Sequence, residues 1–254
     1  MAQVERAPLL DEVISDLLVL SRLFKVEPDQ ELAARRLQKR IEHNIARISD
    51  DNELMAFSLE LSMMAINGQM DKAEALYEQY IDQRFSVLHH NMAMSYIYHY
   101  DMQKALICAQ RSYEITPDDP MTRDFYGVLL LEQGQLDAAH DVFEGGRKFK
   151  DKAFNKLADT IKVIFDGVRE AEIPDAEVCR YLQSVTEFAK QKNLFLLGRR
   201  TELYQDEGVF WTEFRYETGL DFDTNDELED ELTDCLIDQD INPRLMGLIN
   251  IRFF

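Results

Sequence analysis

A chain of 254 residues, 46% hydrophobic and interrupted by only 10 Gly and 6 Pro, is long enough to bury one large core or two ordinary ones. Its formal net charge of -20 repels phosphate and argues against direct nucleic-acid binding, and no run approaches the ~18 apolar residues of a membrane span. Cys108, Cys179 and Cys235 are odd in number and widely spaced, which excludes a disulfide framework; with charges in MAQVERAPLLDEV where a signal peptide is apolar, they point to a reducing cytoplasm.

From the N-terminus, LLDEVISDLLVLSRLF and QELAARRLQKRIEHNIARI both space apolar residues three or four apart, predicting two amphipathic helices. The second carries the densest basic patch, Arg35, Arg36, Lys39 and Arg40, but Glu31 and Glu42 interrupt it. It reads as a solvated helix face.

Next come three segments that align with one another: NGQMDKAEALYEQ, HYDMQKALICAQ and QGQLDAAHDVFEG. Ala73, Ala105 and Ala139 fall in register, 32 and 34 residues apart, the span of a helix, a tight turn, a second helix and a short connection. Over about residues 54–150 the chain resembles the tetratricopeptide repeat (TPR) family. That resemblance implies small residues where the first helix of a pair crosses the second, and Gly127 and Ala93 stand at those places. It also implies turns at Gly68 and Gly134, with Tyr100 in the middle copy, and aromatic Tyr77 and Phe143 four residues beyond the register alanines. Ala109 breaks that aromatic position, and Pro117 matches the helix-ending proline in one copy only.

KAFNKLADTIKVIFDGV and PDAEVCRYLQSVTEFAKQ predict two further helices, the second opening at Pro174. A TPR-like helical repeat domain over 1–193 is therefore expected, stacked because no single pair buries its own apolar face.

The last segment changes character. LFLLGRRTELY and VFWTEFRYE, separated by Gln-Asp-Glu-Gly, predict a hairpin in which Phe210, Thr212, Phe214 and Tyr216 alternate with Trp211, Glu213 and Arg215. TNDELEDELTDCLIDQ predicts a helix capped by Thr224 and Glu227 with Leu228, Leu232 and Leu236 along one stripe. RLMGLINIRFF reads as a final strand, giving an acidic ββαβ module over 194–254. From Asp206 onward there are 14 Asp and Glu against Arg215, Arg244 and Arg252.

The fold class is thus mainly α, a helical repeat solenoid with a small C-terminal α+β module, and the chemistry-bearing patterns are sparse. His89, His90 and His99 have the wrong helical spacing for a metal. DFDTNDELEDE lacks the Gly and the final Glu of a calcium loop, since Asp226 and Leu232 stand at those places. No GxSxG, GxxxxGK[ST], GxGxxG or HExxH sequence is present, and Cys179 beside Arg180 sits among apolar neighbours as a structural thiol. No enzyme activity, cofactor or metal is expected.

What remains is the inner face that the resemblance assigns to the first helix of each pair, where such proteins cradle a peptide or a partner's helix. By register it presents Ser58, Ser62, Ile66, His90, Met94, Ile97, Tyr98, Asp124, Val128 and Leu131. The expected function is a protein-binding adaptor or chaperone-like scaffold that captures an apolar segment. Lysines are missing from these positions, so a terminal carboxylate is not the expected ligand. The alternative is an acidic neutralising protein, such as an antitoxin, immunity protein or nucleic-acid mimic, covering a basic partner through Glu229, Asp230 and Asp234.

Overall fold

The structure, a computed structural model, describes residues 6–25, 30–194, 198–206 and 209–254. It is mainly helical, with a small three-stranded sheet near the C-terminus. The chain divides into two compact units, Met1–Thr116 and Pro117–Phe254.

The first unit contains α1 (Arg6–Lys25), α2 (Glu31–Ser49), α3 (Glu53–Ile66), α4 (Met70–Tyr80), α5 (Ser86–Tyr98) and α6 (Met102–Ile115). Val13, Leu17 and Leu20 of α1 meet Ala34, Ile41 and Ile45 of α2 and Ala56 and Leu59 of α3 in one apolar cluster. α1 and α2 contribute apolar stripes, and α3, apolar on most sides, packs between them. Asp16 is buried there, and Arg40 of the basic patch donates to its two carboxylate oxygens through Nε and Nη2. α3 and α5 lie side by side, fixed by Asn91 donating to the Ser58 carbonyl (3.2 Å) and by His99 bonding the Ala65 carbonyl (2.8 Å).

The second unit contains α7 (Pro120–Glu132), α8 (Leu136–Gly146), α9 (Lys152–Glu170), α10 (Asp175–Gln191), β1 (Gly198–Asp206), β2 (Val209–Glu217), α11 (Phe222–Asp238), α12 (Pro243–Leu248) and β3 (Ile249–Phe253). β1 pairs antiparallel with β2, and β2 pairs parallel with β3, Thr212 opposite Ile249 and Tyr216 opposite Phe253. A parallel pair needs a crossover, which α11 and α12 supply. Phe214, Tyr216, Ile249, Ile251 and Phe253 are buried on one face of this sheet. α10 locks to it through the Tyr181 hydroxyl, which donates to the Ile249 carbonyl (2.7 Å), and through Phe188 stacked on Phe253.

Carboxylates and amides start many of these helices. Asn52, Asp101, Asp119, Asp151, Asp221 and Asn242 each accept a backbone N–H of the first turn of α3, α6, α7, α9, α11 and α12. The ends are equally regular. Gly68, Tyr100 and Gly134 all adopt positive φ, and the amide after each reaches back to Met64, Tyr96 and Leu130 respectively, closing three like turns. These turns recur at the spacing of the register alanines, and Ala73, Ala105 and Ala139 are each fully buried.

Two sequence expectations change. Residues 243–248 form α12 and the last strand begins only at Ile249, because Asn242 caps and Pro243 opens a helix. The module is therefore ββααβ. α11 is capped by Asp221, one turn earlier than the Thr224 box, with Thr224 instead donating its hydroxyl to Asp221. The hairpin joins Asp206 to Val209, and Glu207 and Gly208 of its expected turn lie outside the described residues. As for the expected division at 193/194, α9 packs on β1 and β2 and α10 on α11, within one unit.

Candidate protein-binding surfaces

In the first unit the residues expected to line a groove separate by exposure. Met94, in the middle of α5, is 44% exposed, and His90 and Ile97, one turn before and after it, are half-buried. Ser62 on the neighbouring α3 is half-buried and donates to the Ser58 carbonyl of its own helix. His90, Met94 and Ile97 share one side of α5 by helical spacing, and the Asn91–Ser58 and His99–Ala65 bonds hold α5 beside α3, which carries Ser62. Two others are placed differently. Ile66 packs against the α1–α2–α3 cluster, and Tyr98 is buried, its hydroxyl pushed up by burial. Ser58 is fully buried.

Asp124, Val128 and Leu131 lie on α7, in the second unit. Asp124 and Val128 are half-buried, whereas Leu131 is a core residue, 1% exposed. Leu131 is one turn beyond Val128 on the same side of α7, but nearer the C-terminal end of the helix, where Leu129 and Leu130 are buried as well. Arg123, which sequence reasoning passed over, is buried beside it, donating to the Pro117 carbonyl through Nε and Nη2 and to the Val142 carbonyl through Nη1 (3.1, 2.8 and 2.8 Å).

On the other side of the first unit, α4 and α6 present Glu74, Lys104 and the exposed Ile107. Lys104 holds the Glu74 carboxyl below its usual range and Tyr96 donates to the same oxygen (2.7 and 3.0 Å). Behind them Cys108, Tyr77 and His89 form a buried chain. His89 Nε2 faces the Gln83 carbonyl (3.1 Å) and so carries the hydrogen, leaving Nδ1 to accept from Tyr77 (2.7 Å), which in turn accepts from Cys108 Sγ (3.6 Å). Burial raises the thiol and the phenol and lowers the imidazole. Every donor is spent on an internal acceptor, so the trio ties α4, α5 and α6 together and offers no activated nucleophile.

The acidic module also separates. Glu229 is turned inward, 13% exposed, and bridges the Arg252 guanidinium and the Phe253 amide of β3. It is a structural residue, placed there because α11 crosses over β3. Asp230 and Asp234 are exposed, as are Asp223, Asp226 and Asp238, and none of the five lies within ion-pair distance of a cation among the described residues. Phe222 and Ile237, at the two ends of α11, are 77% and 62% exposed.

No family model, curated protein or solved structure matches this chain. Among the described residues no group of three or more His, Cys, Asp or Glu is placed to hold a metal, and no helix is long and apolar enough to cross a membrane.

Proposed function

We propose that this chain is a non-enzymatic scaffold of TPR-like helical pairs that binds another protein through an apolar segment laid against the open side of α3 and α5. The observation that carries the reading is Met94: a large, flexible apolar side chain 44% exposed at the centre of α5, between half-buried His90 and Ile97. Methionine, unbranched and polarizable, adapts its shape to varied apolar ligands. The repeated architecture is supported by the three positive-φ turns and the three fully buried alanines that recur in one register. A reducing, cytoplasmic setting agrees with three free cysteines.

The unpaired carboxylates of α11 favour a second reading, in which Asp230 and Asp234 meet a basic partner surface. The two modes respond oppositely to salt, since apolar capture persists where screened charge attraction fades. Capture of partners from native lysate, followed by mass spectrometry, tests both. Under the groove reading, Met94→Glu and Ile97→Glu abolish a capture that survives high salt. Capture that resists those substitutions but is lost at high salt and in Asp230→Asn/Asp234→Asn overturns the groove reading in favour of the acidic one.

A further inference from the structure

Between α2 and α3 lies an open cleft of about 310 Å³, lined by apolar Ile45, Phe57 and Met63 and by the carboxylates of Glu42, Glu53 and Glu60. Glu53 and Glu60 stand seven residues apart on α3, two turns or about 10.5 Å along its axis, with Phe57 between them. Glu42 lines the opposite wall, on α2, and accepts a hydrogen bond from Gln38 Nε2 one turn back (3.0 Å). None of the three lies within ion-pair distance of a cation among the described residues, since Arg35 and Arg40 of α2 are taken up by Glu31 and Asp16. We propose that this cleft binds a linear aliphatic polyamine, its ammonium groups against the three glutamates and its methylenes on the apolar floor.

The arrangement of charge selects this class of ligand. Carboxylates that converge on one point would hold a metal ion, but no group of three or more among the described residues is placed to do so. Here the charges are spread along the cleft and separated by apolar surface, which one compact cation does not match. Their complement is a set of cationic centres joined by short hydrocarbon spacers. Phe57, whose ring packs against Tyr80 with centroids 4.3 Å apart, adds an aromatic surface that ammonium groups favour.

A basic peptide is a poorer match. The backbones of α2 and α3 are hydrogen-bonded within each helix, so a peptide laid on Ile45 and Met63 would lose water from its amide groups and find no partners for them there. A polyamine carries no amides, and its spacers gain by leaving water. The site is separate from the Met94 surface of α5 and does not depend on it.

Equilibrium dialysis of the full chain against labelled spermidine tests this, at constant ionic strength because a chain of net charge -20 attracts every cation diffusely. One equivalent is expected to bind saturably. Glu42→Gln, Glu53→Gln and Glu60→Gln each weaken it about threefold, as for one partly exposed ion pair, and the triple variant about thirtyfold, with unchanged circular dichroism. Asp230→Asn with Asp234→Asn, which removes charge from α11 instead, leaves the affinity as it was. Trilysine, which carries the same net charge on a peptide backbone, binds more weakly than spermidine. Binding that does not saturate, that survives in the triple glutamate variant, or that the α11 variant weakens as much overturns the proposal. Trilysine binding more tightly than spermidine through the same glutamates overturns the ligand class and makes the occupant a basic protein segment.

Discussion

Tyr77 on α4 donates its hydroxyl hydrogen to Nδ1 of His89 on α5 over 2.7 Å, and the two rings meet edge to face. The bond requires a neutral imidazole, since a protonated His89 has no lone pair to accept it. Burial already lowers the imidazole from its usual 6.5. The unfolded chain therefore binds the proton more readily than the native one, and stability contributed by this residue is present above pH 6.5 and lost as pH falls below it. Thermal melts of the wild type should show a lower midpoint at pH 5.5 than at pH 7.5, and the unfolding free energy should fall by up to about 1.4 kcal/mol per pH unit below 6.5 for one proton. His89→Gln should be less stable at the upper pH but lose most of that slope. A variant with the wild-type slope would place the titration elsewhere.

Gly68 and Gly134 adopt nearly the same positive φ, +72° and +67°, in equivalent turns, yet their surroundings differ. A Cβ on Gly68 meets nothing within 4 Å, whereas one on Gly134 would stand 2.7 Å from the backbone of Cys179 on α10. Gly68→Ala should cost about 1 kcal/mol, the strain of the left-handed region alone. Gly134→Ala should cost about 1–3 kcal/mol more, because backbone cannot give way as a side chain can. Denaturant midpoints of the two variants compare them directly, and equal losses would remove the close approach of α10.

Met94 and Tyr98 occupy the same helix one turn apart and should behave oppositely. Met94→Ala should leave stability within about 0.5 kcal/mol and reduce partner capture. Tyr98→Ala should cost about 3 kcal/mol of stability, since it empties a buried aromatic site. Chemical denaturation of both variants reads the split. A destabilised Met94→Ala would mean that this side chain packs within the fold.

Glu229 and its neighbours divide along the same line between structure and surface. Glu229→Gln should destabilise by about 1–2 kcal/mol, since it weakens a charge-assisted bond to Arg252 and the acceptor of the Phe253 amide. Asp230→Asn with Asp234→Asn should be neutral or stabilise by about 0.2–0.5 kcal/mol, by relieving like-charge repulsion along α11. Thermal melting at low salt distinguishes them, and a stabilising Glu229→Gln would refute its inward role.

Helix positions, the sheet's hairpin and the small residues at tight crossings were legible in the sequence, because each is set by local forces. Apolar spacing predicts α1 and α2, the aligned repeat segments predict the helices from α3 to α8, the turn-forming Gly68 and Gly134 mark helix ends, and alternation at Thr212, Phe214 and Tyr216 marks β2. Where expectation and structure differ, a competing local rule decided: Asn242 with Pro243 starts α12 inside a stretch rich in strand-forming residues.

Exposure was decided only by the tertiary structure. From the sequence, Tyr98, Leu131, Met94 and Val128 share one register position type, and Glu229, Asp230 and Asp234 form one acidic cluster. Packing separates them: Tyr98 and Leu131 go into cores, Met94 stays open, and Glu229 turns back to hold β3. A helical period gives a side chain's direction to within a sector, but what fills that sector depends on neighbours tens of residues away. The same holds for α1, whose amphipathic pattern predicts a helix with a buried stripe. Only the placement of α2 and α3 settles which of its apolar residues the stripe contains, and so leaves Ile14, Leu18 and Val19 facing outward.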